Sequence, residues 1–170
     1  KVAKKEIELE QEIQETIKYP TISILTYNVW ASTEYLHERC DTIIKIIKEK
    51  QPDLVALHEV TEITYDIFQK ALEKSYLIFQ VFIDERNPYG TVLMCNYATT
   101  QIFEGTQPYY YDFQDGRVMG VEIYHNQSEM RFNFLATKLD DHADNDHIRD
   151  QQITVIQQVM KTMKHVILAG

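Results

Sequence analysis

The chain has 170 residues, enough for one domain that buries a core, and its 44% hydrophobic and 25% charged content is ordinary globular usage that argues against disorder. The formal net charge of -9 argues against a histone-like or coat-like role, because duplex nucleic acid is held largely by Lys and Arg. It leaves room for a nucleic-acid enzyme whose bound divalent metal supplies the local positive charge.

Residues 1–20 are highly charged, with Ile7, Leu9, Ile13 and Ile17 only partly at helical spacing, and read as a surface helix or linker. Tyr19-Pro20 ends that segment, since proline lacks a donor and restricts the residue before it. Thr21–Val29 reads as a strand. Ile22 and Ile24 fall on one face and Leu25, Tyr27 and Val29 on the other, which predicts burial on both sides. Residues 34–49 read as a helix with Leu36, Cys40, Ile43, Ile44 and Ile47 on one stripe. Asp53–Leu57 is a short buried strand after Pro52. Thr61 can cap a helix through Lys74, with Ile63, Ile67, Phe68 and Leu72 inward.

The pattern then changes to strands: Tyr76–Ile83, Thr91–Asn96, Thr100–Glu104, Val118–Tyr124 and Phe132–Thr137. Asn87-Pro88-Tyr89-Gly90 and Asp115-Gly116 are turn signals between them. Tyr109-Tyr110-Tyr111 offers rings that stack on bases, and equally a strand-edge aromatic run packed on a sheet, the better-supported reading. A helix from His147 to Met163 turns Ile148, Val155, Ile156, Val159 and Met160 inward, and Val166–Ala169 is a last strand. The order implies an α/β fold: two mixed, largely antiparallel β-sheets packed face to face with outer helices. Ending on a core strand, the chain reads as the N-terminal portion of such a domain, residues 21–170, with the C-terminal part absent.

Cys40 and Cys95 stand in apolar patterns with no paired spacing, as buried free thiols do, which suits an intracellular compartment, cytoplasm or nucleus. The sequon Asn126-Gln127-Ser128 reads as turn chemistry. No apolar run approaches the roughly 20 residues of a membrane span.

Two strand ends carry the strongest chemical signal. Thr26-Tyr27-Asn28-Val29-Trp30 closes the first strand and Leu54-Val55-Ala56-Leu57-His58-Glu59-Val60 the second. A carboxylate such as Glu59 suits Mg²⁺, and Asn28 can donate to a phosphate oxygen. Taken singly, Glu59 is also an acid favoured before a helix and Asn28 a turn former. The loop Asp140-Asp141-His142-Ala143-Asp144-Asn145-Asp146-His147 has a metal-site look but lacks the central Gly and terminal Glu of an EF-hand, so it reads as a solvated acidic loop with Asp146 capping the next helix.

Together, the Asn28 motif, the Glu59 motif and the amphipathic helix with Arg39 between them resemble the start of the endonuclease/exonuclease/phosphatase superfamily, the DNase-I-like fold. Gly116-Arg117 entering a strand, Lys138-Leu139-Asp140 after the next, and Arg149 with Gln152 on the last helix are similar to its third region. His165-Val166-Ile167-Leu168-Ala169-Gly170 resembles the strand that delivers its Gly-Asp-x-Asn motif. The spacing is nearest to the 5′-tyrosyl-DNA phosphodiesterases.

The resemblance implies a four-layer α/β/β/α sandwich and a divalent-metal-dependent phosphodiesterase or phosphatase acting on a phosphate ester of the nucleic-acid or phospholipid class. It implies that Glu59 holds Mg²⁺ or Mn²⁺, that Asn28 and Lys138 act on the phosphate, and that Arg117 and Arg149 contact the phosphate or support the site. The general base of the Gly-Asp-x-Asn motif and a later Asp-His pair are not among the 170 residues, which are therefore expected to be inactive alone and to need more chain, or a protein partner, over an apolar edge. Two residues depart from the family pattern: His58 stands where Gln is usual, and Lys138 where His is usual. Lysine pairs with phosphate as a point charge but cannot act as a neutral imidazole. The substitution fits altered chemistry or an inactive copy that serves as a structural or partner-binding subunit.

Overall fold

The computed structural model describes residues 21–80, 88–103, 106–113 and 116–170. The expected helix or linker over 1–20, and the expected strand and turn positions at Ile83, Asn87, Glu104 and Asp115, lie outside those residues. The elements in chain order are β1 (Ile24–Asn28), α1 (Leu36–Lys50), β2 (Leu54–Val60), α2 (Glu62–Leu72), β3 (Tyr76–Gln80), β4 (Gly90–Asn96), β5 (Thr100–Gln101), β6 (Tyr109–Phe113), β7 (Gly116–His125), β8 (Met130–Thr137), α3 (Asp146–Lys161) and β9 (Val166–Ala169).

One sheet has the order β1-β2-β4-β3, the other β5-β7-β8-β9, with β6 paired to β7 beside β5. Among the described residues, β1–β2 and β8–β9 pair in parallel and the other pairs are antiparallel. Strand alternation assigns the layers. Leu54 and Ala56 of β2 and Leu93 and Cys95 of β4 meet Met119, Val121, Ile123, Phe132 and Phe134 between the sheets. Their neighbours Val55, Leu57, Val92 and Met94 face α1 and α2 through Cys40, Ile43, Ile47 and Phe68. On the far side, Val118 and Leu135 pack under Ile156 and Val159 of α3. The protein is thus a four-layer α/β/β/α sandwich.

Local chemistry sets the boundaries. The Thr61 side chain accepts from Thr64 N–H while the Thr64 hydroxyl accepts from Thr61 N–H, a reciprocal cap that starts α2. The α1 stripe is buried at Cys40, Ile43, Ile44 and Ile47. Three expectations are corrected. β1 is largely exposed, with Ile24 41% and Tyr27 47% accessible, because among the described residues it pairs with β2 alone. Ile63 points outward, since the buried α2 positions Thr64, Phe68 and Leu72 repeat every fourth residue and leave it off the stripe. Asp146 does not cap α3: it is the first helical residue and pairs with the Arg149 guanidinium.

Candidate active site

β1 and β2 are parallel neighbours, as strands joined by one crossover helix tend to be, and Asn28 stands in register with His58. A regular β2 would turn the next side chain to the opposite face. Here the pairing with β4 slips between Leu57 and Val60, and Glu59 takes a left-handed backbone with φ 57°. Such a bulge re-aims a side chain. The Glu59 carboxylate reaches back to β1, where Asn28 Nδ2 donates to Oε1 at 2.7 Å and Ala31 N–H donates to Oε2 at 3.2 Å.

The loop after β1 is fixed from both ends. Trp30, also left-handed at φ 59°, donates its N–H to Asn28 Oδ1 at 2.9 Å. Arg39 of α1 donates to the carbonyls of Trp30 at 3.0 Å and Ser32 at 2.7 Å and also bonds Glu34 O, and its guanidinium lies 4.8 Å from the Trp30 ring centroid. The Asn28 amide is therefore oriented: its oxygen accepts from Trp30 N–H and its Nδ2 donates to Glu59.

Lys138 enters from the other sheet, one residue past β8. Its Nζ lies 3.1 Å from Glu59 Oε1 and 3.0 Å from Asp141 Oδ2, with the Tyr89 ring centroid 5.6 Å away. The end of β9 arrives beside it, since a Cβ on Gly170 would stand 2.9 Å from Thr137 O. Burial alone would raise the Glu59 carboxyl, but the bonds from Asn28, Ala31 and Lys138 outweigh it and hold the group below its ordinary value. Burial likewise works against the Lys138 ammonium, yet Asp141 and Glu59 raise it. His58 is 3% exposed, with Nε2 3.2 Å from Thr26 Oγ1 and Nδ1 3.2 Å from Thr91 Oγ1. Burial first, and the Lys138 charge second, press its pKa down to about 4, which favours the neutral ring at pH 7.

A cavity of about 630 Å³ opens here. Asn28, His58 and Lys138 stand on its polar side, and Tyr27, Leu139, Ile156, Met160 and Leu168 form apolar walls.

The structure brings Asn28, Glu59 and Lys138 together. The side chains of Arg117 and Arg149 are engaged elsewhere. Arg117 pairs with Asp112 and stacks 5.6 Å from the Tyr110 ring centroid, while its carbonyl accepts from Thr137 Oγ1 at 3.0 Å. Arg149 binds the carbonyls of Asp140 at 3.3 Å, His142 at 2.5 Å and Ala143 at 3.4 Å. Buried Gln152 accepts from Asp140 N–H at 2.9 Å. Together they tie the acidic loop to α3 and so fix where Asp141 meets Lys138. Among the described residues no three His, Cys, Asp or Glu side chains form a group able to hold a metal ion. Sequence reasoning missed Asp141 as a partner, although its position three residues after Lys138 in a loop was a usable signal. It also missed Ala31, whose contribution is a backbone N–H.

No family model and no curated protein matches the sequence. Solved structures do. D. rerio TDP2 complexed with single strand DNA product is 20% identical, with a TM-score of 0.72 over 86% of this chain and 58% of that one. The human Nocturnin catalytic domain with bound sulfate is 18% identical, at 0.68 over 89% and 64%. ANGEL2, a 2',3'-cyclic phosphatase in complex with adenosine-2',3'-vanadate, is 17% identical, at 0.68 over 86% and 52%. This chain therefore shares the DNase-I-like sandwich fold of these structures, and it spans 56% and 58% of two TDP2 structures it matches.

Proposed function

We propose that the protein carrying this chain hydrolyses a phosphate ester of the nucleic-acid or phospholipid class, with Mg²⁺ or Mn²⁺ held at Glu59. The observation that carries this reading is the 2.7 Å contact between Asn28 Nδ2 and Glu59 Oε1, made through a bulge and a left-handed Glu59 at the ends of two neighbouring strands. Backbone of that kind is costly and gathers at functional sites. The structural neighbours add weight, since one is described with a DNA product and one as a cyclic phosphatase.

The donor set fits a hard divalent cation. Mg²⁺ takes one or two carboxylates and fills its shell with water and substrate phosphate, and Glu59 offers one carboxylate, 13% exposed, beside the cavity. Such a cation, when bound, stabilises charge on the phosphate and on the leaving oxygen. The chain's own residues do the rest. The free amide hydrogen of Asn28 and the third ammonium hydrogen of Lys138 bind two phosphate oxygens, and the apolar cavity walls hold the organic part of the ester. Arg149 supports the site through the loop that carries Asp141. Neither Asn28 nor the protonated Lys138 can take a proton from water, and both ring nitrogens of His58 are committed to threonines. On the resemblance to the endonuclease/exonuclease/phosphatase superfamily, the base would be the Asp of a Gly-Asp-x-Asn motif. The two free, buried cysteines suit a reducing compartment, cytoplasm or nucleus. Among the described residues no helix is long and apolar enough to cross a membrane.

A second reading rests on a specific contact. The Lys138 ammonium neutralises Glu59, as befits a domain that keeps the fold as a structural or partner-binding subunit without chemistry. The test is an assay of the protein carrying this chain against a bis-aryl phosphodiester and a single-stranded oligonucleotide, with Mg²⁺, with Mn²⁺ and with a chelator. Turnover that the chelator removes supports hydrolysis. No turnover on either substrate at any metal concentration favours the second reading.

A further inference from the structure

Lys138 stands between two unlike acids. The Glu59 carboxylate, 3.1 Å away, is 13% exposed and fixed by Asn28 and Ala31, whereas Asp141, 3.0 Å away, is 68% exposed. We propose that Lys138 is a tethered counter-cation that a divalent metal must displace from Glu59, and that Asp141 receives it. This inference rests on the reading of Glu59 as the cation's ligand.

The argument is one of competition at a single oxygen. Glu59 Oε1 already accepts from Asn28 Nδ2 at 2.7 Å and faces the ammonium at 3.1 Å. A second cation on that carboxylate meets like-charge repulsion at a few ångströms, where the interaction is large in a partly buried site. Lys138 can leave at little cost. Its ammonium is a point charge with three donors on a flexible stem, and Asp141 already accepts one of them. Movement toward Asp141 keeps the ammonium paired and beside the cavity. Asp141 thereby tunes metal affinity from outside the metal's own shell. Its place is set by the ties of Arg149 and Gln152 to the loop.

The experiment titrates Mn²⁺ into the protein without substrate and counts free aquo-Mn²⁺ by electron paramagnetic resonance. It compares wild type, Glu59→Gln, Lys138→Met, Lys138→Gln and Asp141→Asn. Both Lys138 variants should bind the Glu59-dependent ion about tenfold more tightly, since an opposing charge at ion-pair distance is removed. Asp141→Asn should bind it more weakly, because Lys138 is then left with Glu59 alone. Equal affinity in wild type and both Lys138 variants, with binding still lost in Glu59→Gln, overturns this inference and leaves Glu59 as the ligand. Affinity unchanged or raised in Asp141→Asn overturns the receiving role. Binding that is absent throughout, or that survives Glu59→Gln, overturns the metal assignment and this inference with it.

Discussion

Asn28 and Glu59, 31 residues apart in the chain, are joined by one amide-to-carboxylate hydrogen bond of 2.7 Å. The same amide accepts from Trp30 N–H at 2.9 Å, and the same carboxylate accepts from Ala31 N–H at 3.2 Å. One side-chain pair thus holds two strand ends and the loop between them. Under the proposed function, the second amide hydrogen of Asn28 is the donor to the phosphate.

Replacing Asn28 by Ala removes that donor and frees the loop. Loss of one preorganised donor to a developing oxyanion costs about 10²–10³-fold in kcat. The expected result for Asn28→Ala is a kcat on a bis-aryl phosphodiester lowered by roughly 10²-fold, with less change in KM. An unchanged kcat would reduce Asn28 to a brace for Glu59.

The layers were legible because periodicity states them directly. The α1 stripe of Cys40, Ile43, Ile44 and Ile47 and the strand Val166–Ala169 read from the sequence as they stand in the structure. β1 misled, because Ile24 and Tyr27 are apolar at an edge position, and the alternation of types carries no information about how many neighbours a strand has. β6 was legible only as an aromatic run, since Tyr109–Phe113 owes its strand state to pairing with β7. The proximity of Asn28 and Glu59 was legible from their position at strand ends. The bulge that aims Glu59 was not, because it depends on the β4 register. The contacts of Arg117 and Arg149 were hardest to read from the sequence. Their partners are an acid across a hairpin and a row of loop carbonyls, which composition cannot reveal.

His58 makes a stability prediction. Its folded pKa, about 4, lies below the ordinary 6.5, so the folded state binds fewer protons than the unfolded chain between those values. Stability is therefore full above pH 6.5 and falls as pH drops toward 4. The difference corresponds to about 3 kcal/mol. Glutamine can keep bonds to Thr26 and Thr91 without titrating. Denaturant unfolding at pH 7 and pH 4.5 should show His58→Gln losing less stability than wild type by roughly 2–3 kcal/mol. Parallel losses in the two proteins would mean that His58 is protonated in the fold.

Lys138 is expected to bind phosphate once it has left Glu59. Lys138→Ala should raise KM for a bis-aryl phosphodiester several-fold at low salt, by about the worth of one charge contact. The penalty should shrink as ionic strength rises, because salt screens a solvent-exposed pair. A KM ratio that is flat across ionic strength would assign Lys138 to Glu59 alone.

Arg149 is expected to order the acidic loop without touching the reaction. Arg149→Ala removes its donors to the carbonyls of Asp140, His142 and Ala143. Amide exchange over 140–146 should accelerate about tenfold or more, while that of β8 holds, because local opening is governed by local bonds. Uniform acceleration across the whole chain would make Arg149 a global stability element instead.

The most direct test of the account is the metal-dependent hydrolysis of a bis-aryl phosphodiester by the protein carrying this chain, compared with its Glu59→Gln variant. The substitution removes one charge and almost no volume, and the single amide oxygen can keep one of the two bonds, from Asn28 or from Ala31. The account predicts that the variant still folds and loses Mg²⁺-dependent turnover even at saturating metal. Turnover that persists in Glu59→Gln, with the same dependence on Mg²⁺ as wild type, would contradict it.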